Sequence, residues 1–265
     1  MQLLAEGVQV GYDSGAIVHG MDITFPAGRV TTIIGPNGCG KSTLLKALTR
    51  IIPHQGGHVT LDGLDIRRME TKALARKMAI LPQTPENASG LLVEELVTYG
   101  RFPHQKGFGR LSKEDRRMID WALDVTRTAE FRDRPVDALS GGQRQRVWIA
   151  MALAQDTGII FLDEPTTYLD MAHQLETLEL LRKLNRDEGR TIIMVLHDLN
   201  QAARFSDHLI ALSAGRLIKS GTPEEVLVPD VLKQVFNIDA VIGRDPRTDA
   251  PLCITYDLIK GDQPS

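Results

Sequence analysis

The sequence predicts an α/β fold with a parallel sheet, and three observations support this prediction. Apolar strand-like segments alternate with helix-like segments over residues 141–212. A glycine-rich loop at 35–42 follows an apolar strand and precedes a helix. A helix-rich block at about residues 84–137 interrupts the alternation. We therefore expect a parallel sheet into which a helical subdomain is inserted.

The elements of the N-terminal half alternate between short strands and helices. Arg29 to Ile34 is mostly β-branched and stops at Gly35, as a buried strand would. Residues 57–63 alternate like a half-exposed strand that ends in an Asp-Gly turn. We predict strands at 2–10, 21–34, 57–63 and 78–82, and helices at 41–50 and 71–77.

The C-terminal half follows the same logic. Residues 92–131 are helical in pattern, with a turn-rich break at 101–110. Their helical stripe consists of Met118, Ile119, Ala122, Leu123 and Thr126. We then predict helices at 141–155, 171–187 and 198–205, and strands at 159–163, 191–196 and 208–212. Residues 222–265 begin as a helix and are expected to end in a loose polar tail.

Composition narrows the class of protein. The chain has 265 residues, enough to bury a core without disulfides, and its two cysteines fit a reducing compartment. A net charge of −3 argues against a nucleic-acid partner. The longest apolar run, residues 147–154, is far shorter than the roughly 20 residues of a membrane span, and the first residues lack a basic signal region. We expect a cytoplasmic protein.

Residues 35–42, GPNGCGKS, have the spacing of a phosphate-binding loop. The glycines allow successive backbone N–H groups to surround a phosphate, and the next helix points its positive end at the same anion. Lys41 would reach the β- and γ-phosphates and Ser42 would ligate Mg²⁺. A glycine-rich turn that happens to contain a lysine is the alternative. The phosphate-contacting residues would be Gly35, Pro36, Asn37, Gly38, Cys39, Gly40, Lys41, Ser42 and Thr43.

Two carboxylates end the predicted strand IIFLDE at residues 159–164. Side chains alternate along a strand, so Asp163 and Glu164 should point in different directions. We assign Asp163 to the metal ion and Glu164 to the polarisation of the attacking water. A solvated strand end is the alternative, although open α/β sheets bind ligands at the carboxyl ends of their strands.

Residues 139–143, LSGGQ, precede a predicted helix and form a second candidate anion site. Ser140 is a natural N-cap, and the two glycines expose backbone N–H groups at the helix start. This segment lies about a hundred residues after the phosphate loop. One chain therefore carries two separate candidate anion sites.

The order of the phosphate loop, LSGGQ and IIFLDE resembles that in nucleotide-binding subunits of ATP-binding-cassette transporters. The resemblance covers about residues 1–222 and implies a P-loop NTPase core, an N-terminal antiparallel β subdomain and the inserted helical subdomain. Residues 223–265 would be a short C-terminal helical extension and tail. It also implies an ATPase that uses ATP and Mg²⁺.

The resemblance assigns further positions. Tyr12 would stack on adenine, with a packed core tyrosine as the alternative. Gln83 would touch Mg²⁺ and the attacking water, and His197 the γ-phosphate. A loop at residues 167–170 would cross a dimer interface through Asp170. Two subunits would sandwich ATP between the phosphate loop of one and Ser140, Gly141, Gly142 and Gln143 of the other.

The resemblance also suggests what the cassette drives. ELVTYGRFPH and DEPTTYLDMAHQLE look like the iron(III)-siderophore importers, with haem and vitamin B12 relatives. This implies a pair of cassettes at the cytoplasmic face of the membrane, permease subunits and, indirectly, a substrate-binding protein. Zinc or manganese importers, separate-subunit exporters and soluble non-transport cassettes stay open as alternatives.

Two further features have competing interpretations. The resemblance implies that the helical insert and the Gln83 loop form a groove for a permease helix, with Phe102 and Phe108 of the segment 101–110 as its candidate docking residues. A solvated basic loop with Arg101, Lys106 and Arg110 is the alternative. Cys39 is either a small residue that fits its loop or a redox sensor.

Overall fold

The computed structural model describes residues 1–12, 15–83, 88–105, 110–167 and 169–259, and for Tyr12 only the backbone. The chain divides into two compact units, one of Met1–Arg67 and Ile193–Ser265, the other of Arg68–Ile192. No helix within the described ranges is long and apolar enough to cross a membrane.

The strands, in chain order, are β1 (Leu3–Tyr12), β2 (Gly15–Phe25), β3 (Val30–Ile34), β4 (Gly56–Leu61), β5 (Leu64–Asp65), β6 (Met78–Leu81), β7 (Ile159–Asp163), β8 (Thr191–Val195), β9 (His208–Ser213), β10 (Arg216–Gly221), β11 (Ile238–Arg244) and β12 (Pro251–Leu258). The α-helices are α1 (Lys41–Leu48), α2 (Thr71–Ala75), α3 (Val93–Tyr99), α4 (Lys113–Val125), α5 (Gly141–Ala154), α6 (Met171–Glu188), α7 (Leu199–Phe205), α8 (Pro223–Val226) and α9 (Pro229–Phe236).

The first unit contains an antiparallel sheet of order β2-β1-β4-β5. It also contains the strand order β10-β9-β3-β8, in which β3 and β9 are parallel. All five residues of β3 are buried, because a strand of a covered parallel sheet has apolar neighbours on both faces. The predicted antiparallel N-terminal sheet and parallel core are therefore confirmed.

In the second unit, β6 and β7 form a parallel pair. Strand β8 is where the boundary between the units falls. Helices α3 and α4 pack against α5. The five residues of the predicted α4 stripe are all buried, which confirms the amphipathic helix. Ser112 caps this helix by accepting a hydrogen bond from the Asp115 N–H.

The C-terminal region of the first unit differs from the expected loose tail. The predicted helix start is present as α8, but α9 and an antiparallel hairpin of β11 and β12 follow it. Leu232, Ile238, Ala240 and Cys253 form a small apolar cluster there. The side-chain amide of Asn200 donates to the Cys253 carbonyl oxygen (3.1 Å) and accepts from its N–H (2.8 Å). These contacts hold β12 in place, and a distant asparagine gives no local signal of them.

Candidate functional site

The phosphate loop joins β3 to α1 in the first unit and depends on its glycines. Gly35, Gly38 and Gly40 have φ values of 155°, 75° and 101°, which side chains rarely allow. A Cβ on Gly35 would lie 2.3 Å from the carbonyl oxygen of Leu212. Helix α1 begins at Lys41, and no side chain in the described ranges caps it. The loop thus presents a helix N-terminus where an anion would bind.

Lys41 is buried, with 5% of its surface exposed. Its Nζ donates hydrogen bonds of 2.9 Å to the carbonyl oxygens of Gly35 and Pro36. The loop's own backbone therefore orients this ammonium group in this structure. In these two contacts the buried positive charge meets carbonyl dipoles and no negative charge. It is therefore well suited to bind an anion such as phosphate.

Cys39 lies in the same loop and is buried. Burial raises the pKa of its thiol, although the nearby Lys41 charge acts in the opposite direction. A raised pKa disfavours the reactive thiolate. The chemistry of the site thus favours the interpretation of Cys39 as a small residue that fits its loop, rather than as a redox sensor.

The remaining candidate residues of the first unit lie on three elements. Ser42 and Thr43 are partly buried in the first turn of α1. His197 is exposed between β8 and α7, and Asp198 caps α7 by accepting from the Gln201 N–H at 2.8 Å. Tyr12 is the last residue of β1, and its side chain lies outside the described residues.

The two candidate carboxylates of the second unit lie at the end of β7. Asp163 is the last, buried residue of the strand, and Glu164 follows it with a φ of 54°. Because β7 ends at Asp163 and Glu164 lies in the left-handed region, strand alternation does not set the direction of the Glu164 side chain, and its separation from Asp163 stays a prediction. That conformation costs a non-glycine residue about 1 to 2 kcal/mol, and such strain is concentrated at functional sites.

Glu164 is held by two donors. The side-chain amide of Gln83 donates to its Oε2 at 2.6 Å, and the Thr167 hydroxyl donates to the same oxygen at 3.0 Å. The structure thus brings together two residues that lie 81 positions apart. Thr167 is an additional contact of the carboxylate that the sequence analysis did not identify; its spacing of three residues after a turn-forming Glu164 is the only local signal.

The LSGGQ segment starts α5 as predicted. The Ser140 hydroxyl accepts from the Gln143 N–H at 3.3 Å, and the Gln143 side chain accepts from the Ser140 N–H at 3.0 Å. This reciprocal cap fixes the first turn of the helix. The Gly141 and Gly142 backbones occupy its first two positions, where N–H groups have no intrahelical acceptor.

Asp170 caps α6 and binds His173 twice. Its Oδ1 accepts from the His173 N–H at 2.9 Å and lies 2.8 Å from ring atom Nδ1. These contacts, the backbone hydrogen bond foremost, lower the pKa of Asp170. The His173 ring also lies against Gly142. Tyr168, between Thr167 and Asp170, lies outside the described residues.

The segment that starts at Arg101 differs from a solvated basic loop. Arg101 is only 2% exposed; its Nε donates to Asp115 at 2.9 Å and a terminal nitrogen donates to the Ala154 carbonyl oxygen at 2.7 Å. The alternative of a solvated basic loop is therefore wrong for Arg101. Phe102 is 54% exposed and stacks on Tyr99 at a centroid distance of 5.0 Å. Lys106 and Phe108 lie outside the described residues.

The residue types predicted to hold Mg²⁺ suit a metal that arrives with a nucleotide. Across the described ranges, no three His, Cys, Asp or Glu side chains cluster as a resident metal site would require. Mg²⁺ is commonly held by one or two carboxylates together with substrate phosphates. The oxygen-bearing side chains of Ser42, Asp163 and Gln83 are of that kind.

Comparisons with known proteins agree with this chemistry. The family model described as ABC transporter matches residues 18–167. The iron(3+)-hydroxamate import ATP-binding protein of Bacillus subtilis is 62% identical over 98% of this chain and 97% of its own length. The achromobactin transport ATP-binding protein of Dickeya dadantii is 52% identical over 93% and 92%. The ferric enterobactin transport ATP-binding protein of Escherichia coli is 44% identical over 96% and 93%.

Solved structures give the same fold. A metal-chelate type ABC transporter in an inward-facing conformation aligns with a TM-score of 0.82 at 25% identity, over 98% of this chain and 97% of that one. A dimeric ATP-binding cassette in a post-hydrolysis state, bound to ADP and Pi, aligns with a TM-score of 0.73 at 29% identity, over 83% and 98%.

Proposed function

The chain belongs to the ABC transporter family, and we propose that it powers the import of iron(III)-siderophore complexes, with hydroxamates as the favoured class. It is an ATPase whose hydrolysis is coupled to transport. The observation that carries the cargo assignment is the 62% identity, over nearly the full length of both chains, to an iron(3+)-hydroxamate import protein. Identity is lower, at 52% and 44%, to the achromobactin and enterobactin proteins.

Other cargoes have weaker support. A cobalamin import ATP-binding protein of Halobacterium salinarum is 38% identical, and the match spans only 62% of that protein. A vitamin B12 cargo is thus an alternative that the similarity to a specific relative supports. The cassette does not need to touch the cargo in either case, so only transport assays distinguish the two.

In the proposed reaction the phosphate loop binds ATP. The backbone N–H groups around Gly38 and Gly40 would contact phosphate oxygens, and the Lys41 ammonium would turn from the carbonyl oxygens of Gly35 and Pro36 toward the γ-phosphate. Tyr12 would stack on the adenine ring, and His197 would contact the γ-phosphate. When bound, Mg²⁺ neutralises phosphate charge, and Ser42, Gln83 and Asp163 would hold it.

Glu164 would polarise the attacking water. An ionised carboxylate can accept several hydrogen bonds, so the Gln83 and Thr167 contacts to Oε2 leave further acceptor sites for water. Because Gln83 contacts the carboxylate directly, displacement of the Gln83 loop would reorient it. We infer that this contact makes hydrolysis sensitive to the state of a permease.

The working unit would be a pair of cassettes, most simply two copies of this chain. ATP bound at the phosphate loop of one copy would meet Ser140, Gly141, Gly142 and Gln143 of the other. The loop at 167–170, with Asp170, would cross the interface. This arrangement would explain why one chain carries two candidate anion sites about a hundred residues apart.

The pair would work at the cytoplasmic face of the membrane with permease subunits and, indirectly, a substrate-binding protein. The stacked and exposed pair of Tyr99 and Phe102 supports a docking surface at the end of α3. Exposed aromatic side chains are enriched where proteins meet. No nucleic-acid partner is proposed.

The test is uptake of iron-loaded chelates by cells that lack this chain. The cells are complemented with either wild type or Glu164→Gln. Uptake of ferric hydroxamate, ferric catecholate and cobalamin is then compared. We expect only wild type to restore hydroxamate uptake. Restoration of cobalamin uptake alone would overturn the iron assignment but leave the ATPase intact. Equal restoration by Glu164→Gln would remove Glu164 from its proposed role.

A further inference from the structure

We propose that His173 is a positioning residue that fixes the backbone of Gly142, in the LSGGQ segment, to the Asp170 loop. The proposal rests on the function proposed above, because it concerns how this chain presents LSGGQ to a nucleotide. It also attributes the steric restriction at position 142 to the His173 ring of the same chain.

The first observation is that Asp170 fixes the orientation of the His173 ring. Asp170 Oδ1 accepts the His173 backbone N–H at 2.9 Å and lies 2.8 Å from Nδ1. Since an ionised carboxylate can only accept, Nδ1 must carry the proton of this hydrogen bond. Rotation of the ring would break that bond, so the ring has one favoured direction.

The second observation is that the ring lies over Gly142. A Cβ on Gly142 would be 2.8 Å from Cδ2, 2.9 Å from Cγ and 3.2 Å from Nε2 of His173. Real Cβ atoms essentially never approach within 3.0 Å of such atoms. The space that a side chain at position 142 would need is therefore filled by this ring.

The backbone itself does not require glycine at this position. Gly142 is the second residue of α5, and its φ lies outside the left-handed range, which marks other glycines of the chain. Alanine is the better helix former at an ordinary helical position. The contact with His173 is thus the feature of the described structure that an alanine at position 142 would displace.

The same loop leads to the proposed water-activating carboxylate. Thr167 donates to Glu164 at 3.0 Å, and the Gln174 side chain donates to the Leu169 carbonyl oxygen at 3.0 Å. His173 therefore ties the start of α5 to a loop whose other end contacts Glu164. Loss of the tie should slow turnover, and nucleotide binding at the phosphate loop should persist.

Two variants separate the two contacts of His173. His173→Asn keeps an N–H that can reach Asp170, and His173→Phe keeps a flat ring over Gly142 without the hydrogen bond. We expect Asn to retain most of the ATP turnover and Phe to lose about tenfold in kcat, with the KM for ATP little changed in both. Equal loss in both variants would overturn the role of the Asp170 hydrogen bond.

The decisive measurement is a double-mutant cycle of Gly142→Ala and His173→Ala in the full chain. Gly142→Ala should lower kcat about tenfold in the wild-type background and have little further effect when His173→Ala is present. Circular dichroism melts and nucleotide affinity verify that each variant is folded. Strictly additive effects would mean that glycine is needed for another reason and would overturn the proposal.

Failure of the His173 proposal can be distinguished from failure of the proposed function. If wild type hydrolyses ATP but supports no chelate uptake, the cargo assignment fails and the cycle can still be read. If wild type hydrolyses ATP and the cycle is additive, only the role of His173 fails.

Discussion

The buried ion pair of Arg101 and Asp115 gives the most quantitative prediction. The side chains are 3% and 5% exposed, and the guanidinium also donates to the Ala154 carbonyl oxygen at the end of α5. In Arg101→Met, Asp115 would keep its hydrogen bonds from Ser112 but lose its charged partner. Removal of one partner of a buried ion pair costs about 3 to 5 kcal/mol.

This cost should lower the thermal midpoint of the second unit on the order of 10 °C. Intrinsic tryptophan fluorescence is the suitable readout, because both tryptophans of the chain, Trp121 and Trp148, belong to that unit. Arg117→Met is the matched control. It breaks a pair with Glu114 whose side chains are 72% and 54% exposed, and it should leave the midpoint almost unchanged.

The pH dependence provides a second check on the same pair. Burial alone would raise the pKa of Asp115, but hydrogen bonds from Ser112 and Arg101 together with the guanidinium charge lower it below its usual value. A lowered folded-state pKa contributes stability above the unfolded pKa of about 4, and this contribution is lost as the pH falls through the folded pKa. The difference in thermal midpoint between wild type and Arg101→Met should therefore become smaller in acid. Equal midpoints for the two proteins at pH 7, or a gap that widens in acid, would refute this reasoning.

Three further predictions concern the proposed reaction. Glu164→Gln should bind ATP, hydrolyse it about 10² to 10⁴ times more slowly and accumulate as a dimer in size exclusion with ATP; turnover equal to wild type would contradict its role. Lys41→Ala should weaken ATP binding by about tenfold or more in calorimetry, since a charge-assisted phosphate contact is lost, and an unchanged Kd would count against the phosphate loop. Phe102→Ser should reduce permease-stimulated turnover and chelate uptake while ATP affinity stays constant; intact uptake would exclude Phe102 from the docking surface.

Local chemistry made much of the site predictable. The phosphate loop, the Ser140 cap and the strand that ends at Asp163 each have a signal within a few residues, because backbone conformation and capping are short-range effects. The alternation of strands and helices likewise predicted the parallel strands on either side of the inserted helices.

Features that depend on distant partners were missed. Arg101 looks like a surface residue in the sequence, and only its contacts with Asp115 and Ala154 explain its burial. The His173 contact with Gly142 joins two helices, so no local pattern announces it. The C-terminal hairpin is held by Asn200, which lies 53 residues before its partner Cys253 in β12. In these places, packing between distant residues determines which side chains are buried, and the polarity of the local sequence does not predict it.

A mixed-dimer experiment tests most directly whether LSGGQ of one copy completes the phosphate loop of another. Lys41→Ala and Ser140→Arg should each abolish ATP turnover alone, because every site of either homodimer contains one damaged half. A mixed dimer, isolated with a different tag on each variant, would contain one site with both halves intact. We predict that this dimer regains a clear fraction of wild-type turnover; an isolated mixed dimer as inactive as its parents would contradict the shared site.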